Sequence, residues 1–261
     1  MNPWGRISET PIFVLTSDQD WSPEWAISRF MEEVRNYRLP IHIFRTSPSR
    51  ILDDAASRGE IEQGWHPNFD PGSSHGETVE AVIDYFKKHF PGQTTVRTHR
   101  FSEDSFRLLA LRRAGVIADS QTVTRFQGYL TPVVHFSGII RLPVYFEDDA
   151  FFQAAHPALS LTTIHSTLFT PGLKILNFHP TFVGCNVPSQ PYYDEYRKEI
   201  FGGKEPLRLF SGRGTLHVFR DMIEIILAEG YRFDTFHRVV SDAVEYIKRA
   251  PNLIPSNLFF G

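Results

Sequence analysis

The sequence predicts an α/β domain built on a parallel sheet. Short, continuously apolar runs alternate with amphipathic helical patterns along most of the chain, and nearly every apolar run ends in polar or charged residues. A strand apolar on both faces belongs in a sheet covered on both sides, and strand–helix alternation is the mark of parallel crossovers. A count of about seven or eight such strands fits either a barrel or an open doubly wound sheet.

The elements follow in order. Residues 12–16 (IFVLT) form a short buried strand. Ser22 and Pro23 supply an N-cap and a proline at the first helical position, and Ile27, Phe30, Met31 and Val34 recur at helical spacing after them. Residues 40–44 read as a second strand, 49–57 as a polar helix ended by Gly59, and 61–65 as a third strand interrupted by Gln63 and Gly64. Val79, Val82, Ile83, Phe86 and Phe90 line a helix closed by Pro91 and Gly92. Residues 94–98 are β-rich, 106–113 helical and 116–118 strand-like; 139–144 and 173–178 add two more strands. Leu216, Phe219, Ile223, Ile226 and Leu227 line one helix, and Val239, Val240, Ala243, Val244 and Ile247 line a last one. Residues 181–213, rich in Pro, Gly and Tyr, read as a long irregular loop. The expectation is a single domain over 1–261, with this loop at 181–213 and C-terminal helices at 214–250.

Composition removes several function classes. Of 261 residues 41% are apolar and 22% charged, so neither disorder nor coiled coil is the main state. The single cysteine, Cys185, excludes an internal disulfide, and eleven histidines direct any metal site to imidazole and carboxylate donors. A net charge of −3 with no basic stripe argues against a nucleic-acid partner. No apolar run reaches the roughly 20 residues of a membrane span. The opening residues lack the apolar segment of a secretory signal, so the expected location is cytoplasmic. No glycine-rich phosphate loop follows the first strand. Nothing in the sequence sets an oligomeric state.

The chemistry gathers at strand ends, where the loops of a parallel α/β domain meet. The first strand ends in Asp18, Gln19 and Asp20, the third in Trp65 and His66, and the fourth in Arg97 and His99. Later strands end in Glu147, Asp148 and Asp149, and in Asn177 and His179. One such residue alone is an ordinary cap or turn residue. Together, carboxylates and imidazoles at one mouth suit a divalent metal, zinc foremost, with an open position for water. A carboxylate outside the metal then serves as general base and a histidine outside it as general acid. Asp18 and Asp20 stand two apart and divide these tasks, one facing the metal and one the water.

In this order the residues resemble the NodB-homology polysaccharide deacetylases, and within them a divergent WbmS-like branch linked with bacterial O-antigen loci. The resemblance spans residues 12–180. It implies a distorted (β/α) barrel of about seven parallel strands with its active site at the C-terminal strand ends. Residues 13–20 (FVLTSDQD) resemble the first motif, with Asp18 as base and Asp20 as metal ligand. Residues 62–66 (EQGWH) resemble the second, giving His66 as a ligand; 96–99 (VRTH) resemble the third, with Arg97 orienting the base. Residues 176–180 (LNFHP) resemble the fifth, with His179 as the acid, and 147–149 resemble the acidic fourth. One of the last group, Asp149 or Asp148, is expected to hold His179 or Arg97, with Asp149 chosen. The alternative for all three acids is capping of the helix that follows.

The sequence also departs from the family pattern. Gln19 separates aspartates that are usually adjacent, and Asp70 stands four residues after His66 where a second histidine is usual. The third metal ligand is therefore open between His75 and His99, with Asp70 a further carboxylate. The resemblance implies a zinc-dependent deacetylase acting on an N-acetylated sugar, an intermediate of O-antigen or other surface-polysaccharide synthesis. The rival readings are a metal-dependent hydrolase of a small amide or ester and a non-catalytic glycan-binding protein.

Overall fold

The computed structural model of the chain describes residues 4–153, 161–202 and 209–249. At its centre lies β1 (Pro11–Asp18), buried at all eight positions, its apolar run 12–15 leading into Thr16, Ser17 and Asp18. One edge of β1 pairs in parallel with β9 (Gly172–Asn177). The other edge is shared: Phe13 and Val14 face β10 (Phe233–Asp234), while Leu15 to Asp18 face β2 (Ile41–Arg45). Outward from β2 follow β3 (Glu62–Trp65), β4 (Thr95–Val96) and β5 (Ala118–Asp119), all parallel.

The two ends of this sheet meet on one stretch of chain. β7 (Ile140–Arg141) pairs with β5, and the same run continues into β8 (Val144–Glu147), which pairs with β9. A parallel bridge between Val123 and Val144 fastens the seam. Counting 140–147 as one strand, the parallel ring is the expected distorted barrel of about seven strands, not an open sheet. An antiparallel β6 (Val133–Val134) adds to the outside of β7.

The helices cover the ring as the apolar periodicity predicts. α1 (Glu24–Asn36) buries Ile27, Phe30, Met31 and Val34. α2 (Arg50–Ser57) is capped by Ser49, whose side chain accepts from Leu52 N–H, and α3 (Val79–His89) is capped in the same way by Thr78. α4 (Ser105–Arg113) follows an Asp104 cap. α3 and α4 enclose a second apolar cluster around Trp65, Phe86 and Phe90.

Two short helices, α5 (Asp148–Gln153) and α6 (Leu161–Leu168), lie between β8 and β9. The stretch expected to be an irregular loop differs most from expectation. It contains α7 (Pro180–Cys185) and α8 (Gln190–Phe201). Each has a proline in its first turn, and Ser189 caps α8 by accepting from Tyr192 N–H. Phe182, Cys185, Val187 and Ile200 form a small core there, with the tyrosines of α8 packed on it. The prolines that suggested a loop are helix starters. α9 (Thr215–Ala228) and α10 (Phe236–Arg249) supply the C-terminal helices. Residue 250 of that expected range lies outside the described residues.

Candidate active site

Several ring strands end in a polar residue or are followed directly by one, and these residues form one mouth. Asp18 closes β1, Asn177 closes β9 and Glu147 closes β8; His66 and Arg97 follow β3 and β4 directly. Strands buried on both faces leave only their ends for polar groups, which concentrates the chemistry here.

The spacing between the two aspartates is resolved by the backbone. Asp20 and Trp21 both adopt left-handed conformations, with φ of 46° and 54°. The extra residue, Gln19, turns away from the mouth. Its Oε1 accepts from Arg45 Nε at 3.2 Å, Thr46 N–H at 3.0 Å and Ser47 N–H at 3.3 Å. Asp20 N–H donates to Thr46 Oγ1 at 3.0 Å. The kink thus returns the Asp20 carboxylate to the mouth, where adjacent aspartates would need no such turn. Left-handed backbone is tolerated by Asp but costly for Trp, and strain of this kind gathers at functional sites.

Asp20 meets two imidazoles. Its Oδ1 lies 2.9 Å from His66 Nε2 and 2.8 Å from His99 Nδ1. The donor atoms of Asp20, His66 and His99 all fall within 4.8 Å of one another. One carboxylate and two imidazoles are a donor set that zinc and similar ions accept, so the residues present fit a divalent metal. Burial alone would raise the Asp20 carboxyl, but His66, His179 and His99 hold it well below its ordinary value. For His66, burial works downward, and the charges of Asp18 and Asp20 outweigh it.

Of the residues between which the third ligand was open, His99 joins this cluster and His75 does not. His75 Nδ1 accepts a hydrogen bond from Asn68 N–H at 3.0 Å, and its ring stacks between Trp21 and Tyr85. Burial pushes His75 down to about 4, the behaviour of a packed neutral imidazole. Asp70 is engaged with Arg100 at 3.3 Å. His99 reaches the cluster because β4 lies beside β3 and delivers it from the next strand end.

Asp18 sits beside the cluster, 2% exposed. Arg97 Nη1 donates to its Oδ1 at 3.0 Å, and Asn177 Nδ2 donates to its Oδ2 at 3.1 Å. Arg97, itself wholly buried, also donates to Thr16 Oγ1, Ser120 O and Ser120 Oγ, and lies over the Phe44 ring at 4.4 Å. A buried guanidinium needs such a full set of partners. Arg97 thus holds the Asp18 carboxylate through a direct ionic hydrogen bond.

His179 occupies the opposite side. Its Nε2 lies 3.4 Å from Asp20 Oδ2 and 4.0 Å from Asp18 Oδ2. Its holder is Asp148 and not the chosen Asp149. Asp148 Oδ1 is 2.6 Å from His179 Nδ1, and Asp148 Oδ2 accepts from His179 N–H at 2.9 Å. Asp148 is fully buried, whereas Asp149 is half-exposed one position further along the first turn of α5. Burial disfavours the imidazolium, yet Asp148, Asp20 and Glu147 raise His179 well above its ordinary value. Glu147 is pushed well upward by burial and by Asp149. Its Oε1 accepts from Asn177 Nδ2 at 3.0 Å.

Asn177, which bridges Asp18, Arg97 and Glu147, had no role assigned from the sequence. An amide closing a buried strand was the available signal. Cys185 is buried, and desolvation pushes its thiol up to about 12.

No curated protein matches the chain. Among solved structures, a protein described as a polysaccharide deacetylase involved in O-antigen biosynthesis, WbmS from Bordetella bronchiseptica, superposes with a TM-score of 0.67 at 21% identity. That match covers 82% of this chain and 90% of that one. The peptidoglycan deacetylase PdaC from Bacillus subtilis gives a TM-score of 0.48 at 13% identity, covering 97% and 98% of the two chains. At such identities the likeness concerns the fold alone. The family described as WbmS-like polysaccharide deacetylase matches residues 15–197, a span that contains every residue of the mouth described above. The chain belongs to the WbmS-like polysaccharide deacetylase family.

Proposed function

We propose that the protein is a divalent-metal-dependent deacetylase that hydrolyses the N-acetyl group of a sugar, as a step in making an O-antigen or similar surface polysaccharide. The observation that carries the reading is the separation of three tasks at one mouth. Asp18 lies outside the Asp20–His66–His99 donor set, and His179 faces both aspartates from the other side. Asp20, His66 and His99 would hold the metal. A bound divalent ion there, zinc being the best fit, supplies Lewis-acid polarisation and a water of lowered pKa.

The chain's own residues do the rest. Asp18, fixed by Arg97 and Asn177, accepts a proton as the water oxygen bonds to the acetyl carbon. The C–N bond then breaks, and His179 Nε2 delivers a proton to the departing amine. Products are acetate and the free amino sugar. Asp148, on Nδ1, fixes the ring so that Nε2 points at the mouth. Membership of the WbmS-like family and the O-antigen role stated for the Bordetella protein support the substrate class. Among the described residues no helix is long and apolar enough to cross a membrane.

The test is acetate release from N-acetylated sugars, including nucleotide- and lipid-linked ones, by the zinc-loaded protein. Asp18→Asn should keep the fold and the metal and lose about 10²–10⁴-fold in turnover, the usual contribution of a positioned base. Activity near wild type in that variant would remove Asp18 as the base. Release of acetate from a small ester but not from any N-acetyl sugar would favour the rival hydrolase.

A further inference from the structure

A second cluster of metal-ligating side chains lies at the opposite end of the barrel. His42 is the second residue of β2 and Glu62 the first of β3, and the parallel register sets them side by side. His237, the second residue of α10, completes the group. One ring nitrogen of each histidine and a Glu62 carboxylate oxygen all lie within 4.8 Å of one another.

The distances are those of ligands around an ion. His42 Nδ1 is 3.4 Å from Glu62 Oε2, and His237 Nδ1 is 3.3 Å from Glu62 Oε1. Two donors each about 2.0–2.1 Å from a tetrahedral zinc stand roughly 3.3–3.4 Å apart.

His42 adds an independent sign. It is wholly buried, and its Nδ1 has no hydrogen-bond partner. Its other nitrogen, Nε2, is 3.0 Å from Thr95 Oγ1, and that hydroxyl also reaches Gln63 O at 3.5 Å. With the Thr95 proton directed to Gln63 O, Thr95 accepts from His42 Nε2–H. The Nδ1 lone pair is then left facing a carboxylate. In that tautomer a cation between Nδ1 and the carboxylate satisfies both acceptors, and Glu62 Oε2 also accepts from His237 N–H at 3.2 Å. A hydrogen bond on the distal nitrogen is how ligating histidines are ordinarily oriented.

The pocket around this ring is built for it. Phe44 and Phe236 each lie 4.6 Å from the His42 ring, centroid to centroid. A Cβ on Gly64 would meet Thr95 Oγ1 at 2.5 Å and His42 Nε2 at 2.7 Å.

We propose that His42, Glu62 and His237 form a second divalent-cation site, best suited to zinc, which ties α10 to β2 and β3. The set of two imidazoles and one carboxylate matches zinc chemistry. The His237 side chain is 45% exposed, which gives the ion a way in and leaves a position for water. The role is structural: α10 reaches the barrel only after β10, and an ion at its first turn pins that helix over the strand starts.

Zinc binding to the protein stripped of metal tests this, with zinc chloride alone as the probe and metal content read after gel filtration. The starting protein is Asp20→Ala/His66→Ala, which has lost two donors of the catalytic mouth, so the result does not depend on the deacetylase reading. It should retain one zinc per chain. Adding His237→Ala or Glu62→Gln, both at accessible positions, should abolish that equivalent while far-UV circular dichroism is unchanged. Zinc at 100 times its Kd should raise the Tm of the starting variant by roughly 5–10 °C and leave the His237→Ala form unmoved. Absence of zinc in the starting variant, or zinc kept after both further substitutions, overturns the proposal.

Discussion

Replacing Asp148 by Asn removes a buried carboxylate that makes two hydrogen bonds to a single residue, at 2.6 Å to the His179 ring and 2.9 Å to its backbone N–H. The ring bond is charge-assisted, and bonds to charged groups are worth about 1.5–3 kcal/mol. If that stabilisation is expressed when His179 acts as the acid, kcat should fall roughly 10- to 150-fold. The pH profile carries the sharper signal. The acid must hold its proton, so activity declines as pH rises through the His179 pKa. Asp148 raises that pKa, so its removal moves the alkaline limb to lower pH. Asp149→Asn is the control: Asp149 makes no such bond to His179 and should change kcat by no more than about 2- to 3-fold, within the range of ordinary surface changes. The assay is steady-state acetate release over pH 5–10 for wild type and both variants, each confirmed folded and metal-loaded. An unmoved alkaline limb in Asp148→Asn, or an equal loss in Asp149→Asn, would refute the assignment.

Three further outcomes are expected. Elemental analysis should find the catalytic metal lost in Asp20→Ala, His66→Ala and His99→Ala but kept in His75→Ala, because only the first three side chains converge. His75 should also report on acid stability: its folded pKa is pushed down to about 4, below the ordinary 6.5 of the unfolded chain. Its stabilising contribution, of order 3 kcal/mol, is thus present above pH 6.5 and lost as pH falls from 6.5 towards 4. Urea unfolding should show a shallower decline over that window in His75→Gln. Gly64→Ala should destabilise by about 1–3 kcal/mol in the same assay, since its Cβ would come within 2.5–2.8 Å of Thr95, His42 and Phe44.

The sequence by itself determined the parallel architecture and the side of it that carries chemistry. Runs such as residues 12–15 are apolar at every position, so they must be buried on both faces, and polar groups gather towards the strand ends. Asp18, Asp20, His66, Arg97 and His179 were legible for that reason, aided by motifs that depend on local spacing. Helix faces such as Ile27, Phe30, Met31 and Val34 were legible because 3.6-residue periodicity is a local property.

What tertiary structure alone decided depends on partners distant in sequence. Whether His75 or His99 joins Asp20 is set by the neighbouring of β3 and β4, which brings residue 99 within 2.8 Å of residue 20. Choosing Asp148 over Asp149 turns on which side of the first turn of α5 faces β9. The ring closes because residues 140–147 pair with β5 and then β9, a change of partner that no local pattern encodes. His42, an unremarked histidine in an apolar strand, acquires Glu62 and His237 as neighbours only when the register of β2 on β3 and the docking of α10 are fixed. Side-chain chemistry is written in the chain, but the few ångströms that turn it into a site come from packing between distant segments.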